Sequence, residues 1–74
     1  MNIDKQRLID IVLQDIEFIA QQYDESNAFN ALHRSQGQID LLIRGGVISL
    51  DEASHLYDKQ GEARETAERN INSN

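Results

Sequence analysis

Cysteine, proline and tryptophan are all missing from this 74-residue chain, and glycine occurs only four times. Without cysteine there can be no disulfide, thiolate zinc site or cysteine nucleophile. Without proline, and with so little glycine, long helices are unobstructed and a turn-rich sheet protein is disfavoured. Basic residues are scarce as well: seven Lys and Arg stand against thirteen Asp and Glu, a net charge of −6. Neutralising nucleic-acid phosphates needs a basic patch, so direct binding of DNA or RNA is not expected. No Lys or Arg falls between Leu8 and His33, while Asp10, Asp15, Glu17, Asp24 and Glu25 accumulate there. Such a stretch is a solvated face first, and an attractor for a basic partner second.

Long apolar runs are absent too. Acids repeatedly interrupt the hydrophobic segment near the start, nothing approaches a membrane span, and Met1–Arg7 lacks the pattern of a secretory leader. The expectation is a cytoplasmic protein without membrane contact. Residues 1–74 suffice for one small domain. A chain of this length buries only a modest share of its unfolded surface, so assembly with itself or with a larger protein is expected.

What is present is helical periodicity. From about residue 4 to 23, Leu8, Ile9, Val12, Leu13, Ile16, Ile19, Ala20 and Tyr23 fall on one broad face, opposite Asp10, Gln14, Glu17 and Gln21. Ile11 and Phe18, seven apart, stand off that face as a second narrow stripe with Ile3 nearby, which marks them as contacts for another helix or another chain. Asp24, Ser26 or Asn27 can cap a second helix over about residues 27–44, with Ala28, Phe29, Leu32, Ile39, Leu42 and Ile43 on its apolar side and Gln36 inserted in the stripe. Gly37 weakens the middle of this segment by about 0.5–1 kcal/mol relative to alanine, which marks Ser35-Gln36-Gly37 as the place where this helix would bend or break. Leu41 points away from the main stripe and joins Ile11 and Phe18 as an interface candidate.

The sharpest local signal is Arg44-Gly45-Gly46-Val47-Ile48-Ser49-Leu50-Asp51-Glu52. Gly45 or Gly46 can supply the positive backbone angle that ends a helix, and Ser49 with Glu52 three residues later forms a capping-box pattern that starts another. With Gly46 at the turn position, the segment also resembles the distal half of an EF-hand loop, with Ile48 as its apolar position, Ser49 a ligand position and Glu52 the bidentate glutamate. It departs from that pattern at the three early ligand positions, which fall on Leu41, Ile43 and Gly45. None of these has a side-chain oxygen, and calcium requires six to eight oxygen ligands. Gly45, Gly46, Ser49 and Glu52 therefore read as a structural junction, and no metal or other cofactor is expected.

The third helix carries Ala53, Leu56, Tyr57, Ala63, Ala67 and Ile71 on one face, with Leu50 at its entrance and Gln60 interrupting the stripe. Large apolar groups fade after Tyr57, leaving the distal half to propensity and to charge pairs such as Arg64/Glu68 and Glu65/Arg69, each worth about 0.2–0.5 kcal/mol. Residues 70–74 are expected to fray. The fold expected is all-α: a short three-helix unit whose second and third helices form a hairpin, assembling as an oligomer.

Catalytic chemistry is hard to place. His33 and His55 have no paired spacing, and Asp51 beside His55 makes a surface contact more readily than a metal site. No serine has a nucleophile's surroundings, and Gly45-Gly46 lacks the lysine and hydroxyl of a phosphate loop. A non-enzymatic, acidic protein-interaction module, regulatory in character, follows from these observations, with Ile11, Phe18 and Leu41 as contacts. The alternatives are an acidic inhibitor of a nucleic-acid-binding protein and a purely structural assembly accessory.

Overall fold

The computed structural model describes residues 4–73, so Ile3, beside the second stripe, and Asn74, at the expected fray, lie outside the described residues. The chain is all-α: α1 (Lys5–Ala20), α2 (Glu25–Arg44) and α3 (Leu50–Asn72) pack as a three-helix bundle in which every helix touches the other two. Short connections reverse the chain twice, so α2 runs antiparallel to its neighbours and α1 and α3 run the same way. Cross-links at both ends fix this arrangement. Lys5 Nζ lies 2.7 Å from Glu52 Oε2 at one end, and Asn70 Nδ2 donates to the Ala20 carbonyl at 2.8 Å at the other.

Each helix starts at a side-chain cap that satisfies otherwise orphaned N–H groups. Asp4 accepts from the amides of Gln6 and Arg7, and Asp24 from that of Asn27. Ser49 accepts from the Glu52 amide while Glu52 accepts from the Ser49 amide, closing the anticipated capping box. The end of α2 is built with equal economy. Gly46 donates to the Ile43 carbonyl at 3.0 Å and Val47 to that of Leu42 at 2.9 Å, the paired bonds of a Schellman turn. Gly46, at φ 71°, takes the left-handed conformation, while Gly45 stays right-handed at φ −77°. An L-residue at Gly46 would carry about 1–2 kcal/mol of strain.

The core is Val12, Ile16 and Ile19 from α1, Ala31, Ile39 and Leu42 from α2, Ile48 from the junction, and Ala53, Leu56, Ala63 and Ala67 from α3. Ile39 is completely buried. Fully burying one such aliphatic side chain contributes about 1.5–3 kcal/mol. A polar step crosses this core. Ser35 is fully buried, its hydroxyl donates to the Leu32 carbonyl at 2.9 Å, and Gln60 Nε2 donates to Ser35 Oγ at 2.8 Å. Gln60, which interrupts the sequence stripe, thus ties α3 to α2.

Several local expectations are revised. The second helix begins at Glu25 and passes through Gly37 unbroken, because Ser35 and Ile39 are anchored in the core on either side of it. Gln36 is exposed and Ser35 takes the buried place. The first helix stops at Ala20, so Tyr23 is 63% exposed rather than part of the core. Phe29, expected on the apolar side of α2, is 58% exposed. At the end of α3, Asn70 is half-buried and donates to the carbonyls of Ala20 and Gln22, and the helix extends to Asn72. Of the two charge pairs, Arg64–Glu68 forms at 3.2 Å, whereas Arg69 donates to Thr66.

Candidate functional site

The residues singled out as contacts lie on two helices, and one hydrogen bond brings them onto the same surface. On α1, Ile11, Asp15 and Phe18 follow one another at the i, i+4, i+7 spacing of a single stripe, with Arg7 one turn earlier. On α2, Arg34, Gln38 and Leu41 make a stripe of the same form. Gln38 Nε2 donates to Asp15 Oδ2 at 2.6 Å, so the two stripes lie side by side at their midpoints. Because the helices are antiparallel, Leu41 comes level with Ile11, and Arg34 comes level with Phe18. Ile11 is 43%, Phe18 47% and Leu41 69% exposed. Their positions on the helices keep them off the buried rows, so none is needed to complete the core.

The polar seam between these stripes is only partly satisfied. Gln38 Oε1 is buried without a hydrogen-bond donor. Such an atom forfeits about 1–3 kcal/mol relative to a paired one. Arg7, Arg34 and Arg69 have no ion-pair partner among the described residues, whereas Lys5, Arg44, Lys59 and Arg64 each have one.

A second surface was not foreseen from the sequence. Between the start of α2 and the end of α3 runs an open groove of about 560 Å³, lined by Ala28, Phe29 and Leu32 on one side and Ala67 and Ile71 on the other, with Ile19 of α1 also reaching it. Glu25, Arg64, Glu68 and Asn72 complete its lining. The ring of Phe29 lies against His33 with centroids 4.4 Å apart, which props it beside the groove. The loss of large apolar residues after Tyr57 was the available clue: alanines on α3 leave space that α2 does not fill.

The acidic residues do not gather into one stripe. Glu17 lines a shallow hollow between α1 and α3 together with Lys59 and Glu62, whereas Glu25 lines the groove between α2 and α3. At the junction, Glu52 Oε1 accepts from Lys5 Nζ and from the Ser49 amide, both at 2.9 Å. The Lys5 ammonium, and next the Ser49 N–H, hold the Glu52 carboxyl below the usual glutamate range. The residue that matches the bidentate glutamate of a calcium loop is thus engaged in structure. Among the described residues, no three His, Asp or Glu side chains are grouped to hold a metal ion, and Asp51 and His55 share no hydrogen bond. No described helix is long and apolar enough to cross a membrane. No protein-family model, curated protein or solved structure matches this chain.

Proposed function

We propose that this small helical domain is a non-catalytic protein-interaction module that binds through apolar side chains left outside its core. The observation that carries the reading is the union of Ile11, Phe18 and Leu41 on one α1/α2 face by the Asp15–Gln38 hydrogen bond. Isolated exposed apolar residues are ordinary, but a set joined across two helices offers an area that a partner can desolvate at once. Rim polar groups then set orientation and reject wrong partners more than they add affinity. A regulatory effect would follow from occluding whatever the partner otherwise contacts.

The acidic-inhibitor alternative draws support from the net charge of −6 but not from its layout, since Glu17 and Glu25 face different hollows. Capture on immobilised chain, followed by mass measurement of the recovered complex, tests both readings. Loss of the recovered partner on Leu41→Lys, with binding kept when Asp10, Glu17 and Glu25 are neutralised together, is the expected result. The reverse pattern would replace the apolar face with the acidic one as the contact.

A further inference from the structure

The α1/α2 face is also where this acidic chain leaves its positive charge unanswered. We propose, on the reading of this domain as an interaction module, that the occupant of that face is an amphipathic helix of another protein, acidic at both ends of its apolar stripe.

The seven Lys and Arg of the chain divide into two groups. Lys5, Arg44, Lys59 and Arg64 each hold a carboxylate of this chain, and Arg69 donates to Thr66. Arg7 and Arg34 alone have neither an ion pair nor a side-chain hydrogen bond among the described residues, although the chain has thirteen acids. Both are exposed, and both stand on the stripes that carry Ile11, Phe18 and Leu41. The one carboxylate on those stripes, Asp15, accepts from Gln38 Nε2. The face is therefore positive on a chain of −6, and the partner it favours at contact has the opposite sign. A second copy offering the same face would set positive charge against positive.

Placement sets the form of that partner. Arg7 lies one turn beyond Ile11, and Arg34 lies level with Phe18, so the two mark opposite ends and opposite sides of the face. Their separation along the helix axes is roughly 16 Å, about three turns. A helix laid along the Asp15–Gln38 seam can present carboxylates about three turns apart on one stripe, with apolar side chains between them against Ile11, Leu41 and Phe18. Two arginines are too small a charge to hold a nucleic acid or an anionic membrane.

The probe is a synthetic helical peptide whose single apolar stripe of Leu is flanked by Glu about three turns apart, beside a counterpart with Lys in place of each Glu. Binding of each to the full chain is followed by the fluorescence anisotropy of the labelled peptide. The Glu peptide should bind about tenfold more tightly than the Lys peptide, and Arg7→Glu combined with Arg34→Glu should reverse the preference. Leu41→Gln, which leaves the charge unaltered, should abolish binding of both peptides, whereas Phe29→Gln at the groove should not. All four positions are exposed, and circular dichroism identifies any variant that fails to fold. The comparison of the two peptides on the unaltered chain needs no variant. Equal affinity, a preference for Lys, binding that survives Leu41→Gln, or no binding of either peptide would overturn the acidic helix. A Leu41-dependent dimer in sedimentation equilibrium, or Leu41-dependent binding to phosphatidylserine vesicles, would overturn it by seating another occupant. Where the peptides fail but immobilised chain still captures a protein through Leu41, the interaction role stands without this inference. Where no capture depends on Leu41 either, both fall.

Discussion

The α1/α2 face and the α2/α3 groove both expose large apolar side chains, for opposite reasons. Ile11, Phe18 and Leu41 stand off the buried rows with a complete core beneath them, so they are surplus to folding. Phe29 and Leu32 border a place where α3 supplies Ala67 and no large side chain until Ile71, so the groove is a deficit of core. Exposed apolar area therefore has two meanings in one small protein. A surplus can be made polar without harming the fold, and a deficit can be filled to improve it.

The largest expected effect separates core from surplus. Ile39→Ala removes a fully buried side chain and should lose about 2–5 kcal/mol in denaturant unfolding, whereas Leu41→Ala in the monomer should stay within about 0.5 kcal/mol. Equal losses would mean that Leu41 is part of the core after all. Next come the two glutamines. Gln60→Ala breaks the bond to Ser35 inside the core and should cost about 1–3 kcal/mol. Gln38→Ala should cost less than about 1 kcal/mol, because removing the amide also removes an acceptor that has no donor. Smaller still, Ala28→Leu extends into the groove and should raise stability by about 0.5–1 kcal/mol, a gain that thermal unfolding would detect. A loss there would show that the groove is too tight to fill.

The smallest effect lies outside both surfaces. Glu52 holds its proton less tightly in the folded state than in the unfolded chain, owing first to Lys5 and then to the Ser49 amide. Its contribution is complete above the ordinary glutamate pKa and disappears as pH falls through the lowered folded value. Lys5→Met should accordingly flatten the acid limb of stability against pH by slightly lowering the neutral plateau, with stability below the folded pKa nearly unchanged. A steeper acid limb in that variant would contradict the assignment.

The sequence disclosed whatever is local. Helical period located three helices, and Ser49 with Glu52 and the paired glycines marked the α2–α3 junction, though only geometry chose Gly46 over Gly45 for the positive angle. It misjudged what depends on distant residues. The end of α1 at Ala20 is covered by Asn70, fifty positions away, which no local signal announces. Gly37 reads as a weak point because propensity ignores the anchoring of Ser35 and Ile39 on either side. Phe29 reads as core because a stripe shows which way a side chain leans and not that alanines face it. Ile11, Phe18 and Leu41 were legible one by one as departures from their stripes. Their common face was not, since it depends on the register set by Asp15 and Gln38.

The central claim, that the surplus face is the contact surface and the groove is not, is tested most directly by amide chemical shifts of the full chain followed as the acidic helical peptide is added. Shifts that move together along Arg7–Phe18 and Arg34–Leu41, while those around Phe29 and from Arg64 to Asn72 stay fixed, are the expected result. Movement confined to the groove residues, with Arg7–Phe18 and Arg34–Leu41 fixed, would contradict it.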